Sequence, residues 1–304
     1  MQSIHKTVLL NETIDGLNLR SDSVVLDCTF GGGGHSMEVL KRFPKAKIIA
    51  LDQDAATFEK AKGKFKGLEN RITFVNGNFR DLDKVFSPKP GLGESGTGEI
   101  DGIIFDLGLS SDQLENSGRG FSFMKDEPLL MTMKENPRVE DLTAQDIVNT
   151  WSEKSLADII YGYGEERYSR KIAKVIVEAR EKGKIETTFD LVKIISGSVP
   201  AGYRRGRLHF ATRTFQALRI AVNDELGVLK DGLEKGFNQL KIGGRMSVIS
   251  FHSLEDRIVK RFYKELEKEE KGRLINKKPI LESEKELKDN PRSRSAKLRI
   301  LEKL

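Results

Sequence analysis

The chain contains a single cysteine, Cys28, among its 304 residues. One cysteine excludes a disulfide framework within the chain, and the 4 histidines lack the spacing of zinc ligands, so no metal is expected. No apolar run approaches the ~18 residues that a membrane span requires, and the first residues lack the apolar stretch of a signal peptide. These absences predict a cytoplasmic protein that has no membrane partner.

The chain has only a small excess of charge of one sign. Its 52 lysines and arginines and 46 aspartates and glutamates give a net charge of +6. This excess is compatible with a polyanionic partner but does not require one. The length exceeds that of a typical domain of ~100–200 residues, so a core with an insertion or a second lobe is expected.

A glycine-rich turn is the most informative feature that the sequence does contain. The apolar run Val24–Asp27 is typical of a buried strand, four glycines occupy 31–34, and a helix begins near His35. Glycines permit positive φ and close approach of a ligand, while a helix start offers free N–H groups. A second strand, Lys47–Leu51, then delivers Asp52 about twenty positions after the first glycine. This is the layout of a nucleoside-cofactor site whose acid binds the ribose.

Two cofactors share this layout. A dinucleotide fingerprint requires G-x-G-x-x-G, and here Ser36 takes the place of the third glycine. The start of the helix carries no Lys or Arg for a pyrophosphate, and Asp27 at the tip of the first strand would repel a phosphate. Asp27 suits the sulfonium and amino groups of S-adenosylmethionine (SAM), so SAM is favoured over NAD. A tight strand-to-helix turn that binds no ligand is the remaining interpretation.

Strands and helices alternate along the first part of the chain. This alternation predicts an α/β fold with a doubly wound, mostly parallel sheet. Enrichment in Gly, Pro and Ser at 87–99 predicts a surface loop before the fourth strand. The predicted strands are 24–27, 47–51, 72–76 and 100–106, and the predicted helices lie near 35–43 and 55–65.

From 113 to 213 helical patterns replace the strand signal, which predicts an inserted helical domain for substrate recognition. The remaining parts, 1–112 and 214–304, are then assigned to one α/β domain. Apolar residues spaced by threes and fours from Phe215 to Leu240 predict one long helix, which Gly243 and Gly244 end. The other predicted elements are helices at 144–150, 155–161, 166–181, 189–196 and 254–270, and strands at 245–250 and 297–302.

A second polar segment follows the fourth predicted strand. Asp106 ends that strand and begins the sequence DLGLSSDQ, which runs to Gln113. Ligands of open parallel sheets bind at the carboxyl ends of the strands, so we expect Asp106 in the same crevice as the glycine turn and Asp52. In methyltransferases that modify exocyclic amines, an Asp or Asn at this position holds the target N–H groups. The alternative is an acid that only caps a loop.

Several longer segments together carry a resemblance to a known family. They are HKTVLLNE at 5–12, DCTFGGGGH at 27–35, LDQD at 51–54, DLGLSSDQ at 106–113, RGFSFM at 119–124, YGEERY at 163–168, ATRTFQALRI at 211–220, SFHSLEDRIVKRF at 250–262 and NPRSRSAKLR at 290–299. With these motifs the chain resembles the RsmH (MraW) methyltransferases nearly from end to end. That family uses SAM to methylate the N4 amine of a cytidine in the decoding region of 16S ribosomal RNA. The resemblance implies a class I SAM-dependent methyltransferase fold, Rossmann-like, with an inserted helical domain.

The resemblance also implies a set of site residues, with Asp106 as the catalytic one. The implied SAM contacts are Gly33, Gly34, His35, Asp52, Phe79, Asp106 and Gln113. In this set Asp52 binds the ribose and Phe79 lies beside the adenine. Asp106 and Gln113 lie at the methionine end. The residues alone also point to the glycine turn, Asp52 and Asp106, whereas Phe79 and Gln113 rest on the resemblance.

One segment departs from the family pattern. After GFSFM the family usually has P-L-D-M-R-M-D, whereas this chain has PLLMTMK at 128–134. Leu130, Thr132 and Lys134 therefore replace two acids and an arginine near the expected substrate mouth. This departure motivates an alternative function, a SAM-binding ribosome-assembly factor with reduced or lost catalysis.

A direct methyl transfer to nitrogen is the mechanism that these residues favour. A cytosine amine is a weak nucleophile, and Asp106 is expected to accept its hydrogens and align the nitrogen, so positioning and electrostatics supply most of the acceleration. Methylation at a ring carbon needs a covalent cysteine, and Cys28 is expected to be a small buried apolar residue. The expected partner is small-subunit ribosomal RNA or the assembled small subunit, with a homodimer left open.

Two further features have more than one interpretation. The segment Tyr203–His209 combines three arginines with a tyrosine and a histidine, which suits phosphate contact and base stacking. A solvated basic loop explains it equally well. His252 follows a strand that is expected to end at the crevice, and both substrate contact and a structural hydrogen bond remain open for it.

Overall fold

The computed structural model of the protein describes residues 6–86, 100–134 and 137–304. The chain divides into two compact units, with unit 1 formed by Met1–Gly108 and Leu226–Leu304 and unit 2 formed by Leu109–Glu225. The domain boundaries were predicted at 112/113 and 213/214, and the helix that precedes residue 225 falls in unit 2. The predicted loop at 87–99 lies outside the described residues.

Unit 1 is built on a single sheet. Its strands are β1 (Val24–Asp27), β2 (Lys47–Asp52), β3 (Ile72–Asn76), β4 (Ile100–Asp106), β5 (Leu240–Ser250), β6 (Gly272–Leu274) and β7 (Lys297–Lys303). Within the described residues they form a seven-stranded sheet in the order β3-β2-β1-β4-β5-β7-β6. The first five strands are parallel, and β7 is antiparallel to both β5 and β6. The predicted α/β, mostly parallel, Rossmann-like fold is confirmed.

Helices cover the sheet of unit 1 and make up most of unit 2. They are α1 (Leu10–Gly16), α2 (Gly34–Arg42), α3 (Ala55–Ala61), α4 (Leu82–Val85), α5 (Ser111–Asn116), α6 (Ala144–Thr150), α7 (Glu153–Gly162), α8 (Ser169–Arg180), α9 (Thr188–Ser198), α10 (Ala201–Arg204), α11 (Thr212–Asn223), α12 (Glu225–Gln239), α13 (Ser253–Lys268) and α14 (Glu284–Asp289). Short 3₁₀ helices lie at Lys62–Phe65, Glu69–Arg71, Phe79–Asp81 and Pro291–Ser295. In the described part of the chain, none of the helices combines the length and apolarity needed to cross a bilayer.

The central strands of unit 1 are buried on both faces. Ile103–Phe105 of β4 has 0% exposure at every position, and strands covered on both faces have continuous apolar sequences. The carboxyl ends of β1, β2 and β4 lie at one edge of the sheet, because these strands are parallel neighbours. Asp27, Asp52 and Asp106 end these three strands.

The predicted single helix from Phe215 to Leu240 is wrong. Two helices, α11 and α12, meet at Asp224, whose φ of 47° lies in the left-handed region. The apolar spacing continues across this break, so the periodicity gives no sign of it. Gly243 and Gly244 do not end the helix either, since they lie within β5. Gly243 has a φ of 79° there, beside an irregularity in the pairing of β5 with β4.

Unit 2 has an apolar core of its own. Ile147, Leu156, Ile176 and Leu191 are each 0% exposed within this core. Two of its helices, α6 and α9, begin with capping boxes in which a threonine and an aspartate satisfy each other's backbone N–H groups. Over the described residues of unit 2, no strand joins the sheet of unit 1. Its role in substrate recognition stays a prediction.

Candidate active site

The turn between β1 and α2 requires glycine at two adjacent positions. Gly33 directly precedes α2 and has a φ of 71°, and a Cβ there would lie 2.6 Å from the ring of Phe30. A Cβ on Gly34 would overlap Oγ1 of Thr7. Left-handed φ and close packing therefore exclude a larger side chain. The turn places the N–H groups of the first turn of α2, where His35 lies, at the carboxyl edge of the sheet.

Asp52 ends β2 and binds the glycine turn directly. Its Oδ2 accepts the N–H of Gly31, 21 positions earlier, at 2.9 Å, and its Oδ1 accepts the N–H of Asp54 at 3.0 Å. A carboxylate offers about four acceptor sites, so each oxygen keeps capacity for a ligand. Burial raises the pKa of Asp52, and the hydrogen bonds from Asp54 and Gly31 oppose that rise. The predicted spacing thus corresponds to a contact in the structure.

Asp27 ends β1 and is only 2% exposed. Its Oδ2 accepts the hydroxyl of Ser36 at 2.6 Å, and its Oδ1 accepts the N–H of Thr29 at 3.3 Å. Burial raises the pKa of Asp27 to about 6, which the Ser36 hydrogen bond opposes and the charge of Asp52 increases. Asp27 therefore fixes the first turn of α2 and adds negative charge to the crevice.

Asp106 ends β4 and lies beside His35. Its N–H donates to Oγ1 of Thr29 at 2.6 Å, and its Oδ2 lies 3.8 Å from Nδ1 of His35. Its side chain is 24% exposed. Burial raises the pKa of Asp106 to about 8, and the charges of Asp27 and Glu255 add to the rise. A cation bound nearby would lower this pKa and favour the carboxylate form.

The charge of this crevice distinguishes between the two cofactors. Three carboxyl groups, those of Asp27, Asp52 and Asp106, converge on the glycine turn. Lys64 lies close to this turn, and its Nζ donates to the carbonyl oxygen of Gly32 at 3.2 Å. The carboxyl groups complement a sulfonium and an amino group, and their negative charge disfavours a pyrophosphate. The residues present fit SAM and do not fit a dinucleotide.

Phe79 begins the 3₁₀ turn that follows β3. Its ring packs edge-on against Phe105, with the ring centroids 5.3 Å apart, and a Cβ on Gly232 would overlap it. The preceding residue, Asn78, donates its side-chain amide to Oε1 of Gln53 at 3.2 Å. Phe79 therefore lies next to the end of β2, at the edge that carries the acids. Its contact with an adenine stays a prediction.

Gln113 lies in unit 2, in the first turn of α5. Its N–H donates to Oγ of Ser110 at 3.1 Å, and its Oε1 accepts the N–H of Ser110 at 3.1 Å. The side chain therefore stabilises the start of a helix, and its contact with SAM stays a prediction. The predicted residues that the structure brings together in unit 1 are Gly33, Gly34, His35, Asp52 and Asp106.

His252 caps the start of α13. Its Nδ1 accepts the N–H of Glu255 at 3.4 Å. In return, Oε2 of Glu255 accepts the N–H groups of Phe251 and His252 at 2.8 Å and 3.2 Å. This capping box supports the structural interpretation of His252.

Two hydroxyl groups of the site are absent from the sequence prediction. Thr29 accepts the backbone N–H of Asp106, and 77 positions separate the two residues. Ser36 occupies the position at which a dinucleotide fingerprint has glycine. This difference was the only feature of the sequence that pointed to a role for Ser36. Its hydroxyl donates to Asp27, so the same residue that excludes the fingerprint also positions the buried acid.

Comparisons with known proteins agree over the full length of the chain. A model of the MraW methylase family matches residues 2–304. A Clostridium botulinum protein named ribosomal RNA small subunit methyltransferase H is 47% identical over 320 residues, covering 100% of both chains. A protein of the same name from a Paenibacillus species is 44% identical over 99% of both chains. An rRNA methylase structure from Streptococcus thermophilus covers 99% of both chains at 12% identity with a TM-score of 0.46, too low to support a conclusion.

Proposed function

Because the chain belongs to the MraW methylase family, we propose that it methylates the N4 amine of a cytidine in the decoding region of small-subunit ribosomal RNA. SAM-dependent methylation of small-subunit rRNA is its activity class. The observation that carries the proposal is the partly exposed carboxyl group of Asp106 beside the glycine turn. The assembled small subunit as the form of the substrate, a homodimer and a cytoplasmic location belong to the same proposal.

The glycine turn and two acids are assigned to the cofactor. Bound SAM supplies an electrophilic methyl group. Gly33 and Gly34 let the backbone approach it, and the free lone pairs of Asp52 accept the ribose hydroxyls. The charge of Asp106 complements the sulfonium and amino groups, and Asp27 adds to this field from its buried position.

Asp106 is also assigned to the target amine. The lone pair of a cytosine amine is delocalised into the ring, so the nitrogen must pyramidalise before it attacks. A carboxylate oxygen that accepts an amine hydrogen favours that change and holds the nitrogen in line with the methyl group. Thr29 fixes the backbone of Asp106 through a 2.6 Å hydrogen bond, so the acceptor is held in place before the substrate binds.

The burial of the single cysteine supports methylation at a nitrogen atom rather than at a ring carbon. Cys28 is 2% exposed, and burial, with a smaller contribution from the charge of Asp27, raises the pKa of its thiol well above the ordinary value. A carbon methyltransferase needs a reactive thiolate to attack the ring. Cys28 is a buried thiol in the apolar core and does not fit that role.

The segment that departs from the family pattern is held firmly in unit 2. Met131 is 0% exposed and its N–H donates to the carbonyl oxygen of Arg119 at 2.7 Å. The N–H of Met133 donates to Oδ1 of Asn223 at 2.8 Å, and Lys134 pairs with Asp141. Thr132, one of the three departing residues, is buried, and its Oγ1 accepts the N–H of Lys134 at 3.2 Å, so the fold accommodates both of these substitutions. A ribosome-assembly factor that binds SAM but transfers no methyl group stays the alternative function. An activity measurement is needed to exclude it.

Methyl transfer from labelled SAM to unmodified small subunits separates the two functions. The proposal predicts label in small-subunit rRNA, recovered as N4-methylated cytidine after digestion to nucleosides. SAM binding without any transfer, in a preparation where a related methyltransferase transfers label, would leave the assembly factor as the function.

The affinity for SAM is expected to increase with pH up to about 8. A bound sulfonium favours carboxylates over carboxylic acids, so binding releases protons from Asp27, with a pKa of about 6, and Asp106, with a pKa of about 8. Affinity then rises with pH by at most about tenfold per unit for each proton released. Calorimetry between pH 5.5 and pH 9 on the unmodified chain and on Asp106→Asn measures this. Asp106→Asn should keep the increase in SAM affinity near pH 6 that is due to Asp27 and lose the increase near pH 8. The same dependence of SAM affinity on pH in both proteins would show that Asp106 does not belong to the cofactor site.

A further inference from the structure

A buried carboxylate lies between α7 and α8 in unit 2. Glu166 is 0% exposed, its Oε1 accepts the N–H of Tyr168 at 2.8 Å, and its Oε2 accepts the hydroxyl of Tyr203 at 2.5 Å. A buried carboxylate is tolerated only where hydrogen bonds replace water. Burial and the bond to Glu166 raise the pKa of Tyr203 to about 12, so its hydroxyl remains a donor at physiological pH. The pair fixes Tyr203 against the start of α8.

Tyr203 and Tyr168 together contact the side chain of an arginine. The rings of Tyr168 and Tyr203 meet edge to face with centroids 5.0 Å apart. The guanidinium carbon of Arg167 lies 4.8 Å from the centre of the Tyr168 ring and 5.1 Å from that of the Tyr203 ring. Aromatic faces orient a planar guanidinium without engaging its N–H donors. Arg167 is exposed, and no carboxylate of the described residues forms an ion pair with it.

Three more arginines follow Tyr203 in a tight turn. The N–H of Gly206 donates to the carbonyl oxygen of Tyr203 at 3.1 Å, so the chain folds back on itself at this point. Arg204, Arg205 and Arg207 are all exposed. Together with Arg167, Tyr168 and Tyr203 they form what we call the Arg167 surface. Guanidinium groups beside aromatic rings suit a single-stranded or looped polyanion.

We propose that the Arg167 surface binds backbone phosphates of the substrate RNA, with the guanidinium of Arg167 as its fixed contact. This proposal rests on the proposed function, which makes RNA the substrate. A solvated basic loop does not explain why a buried carboxylate holds Tyr203. It also does not explain why two rings hold a guanidinium that pairs with no carboxylate of the described residues. The planar fork of arginine matches two phosphate oxygens, which the ammonium of lysine does not.

Filter binding of an RNA hairpin that carries the decoding region tests the proposal across a range of salt concentrations. Arg167→Ala is expected to weaken binding about tenfold and to reduce the slope of log K against log salt by about one. Arg167→Lys keeps the charge without the planar group and should recover only part of the affinity. Lys184→Ala, which removes one charge at an exposed site beyond α8, is the matched control and should bind like the unmodified chain.

Methyl transfer at saturating SAM distinguishes a failure of this proposal from a failure of the proposed function. The proposal expects a KM for RNA about tenfold higher in Arg167→Ala, with the affinity for SAM unchanged. Unchanged RNA affinity and salt slope in Arg167→Ala, while the unmodified chain methylates rRNA, would overturn the proposal and leave the function standing. An unmodified chain that transfers no methyl group would overturn the function, and the filter-binding result would still decide whether the surface binds RNA.

Discussion

Asp106→Ala is expected to lower the single-turnover rate of methyl transfer by about 10²–10³-fold at saturating SAM. The carboxyl group of Asp106 lies 3.8 Å from His35 and is partly exposed at the end of β4, where both the methyl donor and the amine are assigned. Its removal deletes the acceptor that orients the amine. Rapid-quench measurements with labelled SAM and unmodified small subunits give this rate directly.

The conservative variant separates orientation from charge. Asp106→Asn keeps a carbonyl oxygen that accepts a hydrogen bond, so we expect its loss of rate to be smaller than that of Asp106→Ala. Rates equal to that of the unmodified chain in both variants would make Asp106 a cofactor ligand only. The acceptor for the amine would then be sought among the backbone carbonyls and hydroxyls of 107–111.

Asp52→Ala is expected to weaken SAM binding roughly 10- to 100-fold. The carboxylate of Asp52 is assigned to the ribose, and it also accepts the N–H of Asp54 at 3.0 Å and the N–H of Gly31 at 2.9 Å. Removal of both oxygens leaves that N–H without its acceptor and loosens the glycine turn. Titration calorimetry with SAM or with its demethylated product measures the change.

Two further variants define what the Asp52 result means. Asp52→Asn keeps one oxygen and therefore one of the two backbone hydrogen bonds, so it should lose less thermal stability than Asp52→Ala while it still loses part of the SAM affinity. Asp22→Ala removes an equal charge at an exposed position and should leave binding unchanged. Unaltered SAM affinity in Asp52→Ala would refute the ribose assignment.

The sequence predicted strands β1 to β4 of the parallel part of the sheet because each carries a short apolar run, which is largely buried in β1 and β4 and partly exposed in the edge strand β3. β1, β3 and β4 have the predicted bounds, since their apolar runs begin and end sharply. The distance along the chain from the glycines to Asp52 also predicted a contact, because parallel strands with a helix between them bring their carboxyl ends to one edge. The hydrogen bond from Gly31 to Asp52 confirms that geometry.

Features that depend on a single backbone angle or on distant partners were not predictable from patterns. The break at Asp224 reverses one φ without disturbing the apolar spacing on either side. β6 has only three residues, too few for any periodicity. The contact between Thr29, in the turn after β1, and Asp106, at the end of β4, spans 77 positions. The position of Arg167 requires Tyr203 to approach Tyr168 from another helix. These contacts exist only once the chain is folded.

Mass spectrometry of ribosomal RNA nucleosides tests the central claim most directly, in cells that contain this protein and in matched cells that lack it. The proposed function predicts that N4-methylated cytidine in the decoding region of small-subunit rRNA falls when the protein is absent. Re-expression of the unmodified chain should restore it, whereas Asp106→Ala should not. Equal N4-methylation of that RNA with and without the protein would contradict the account.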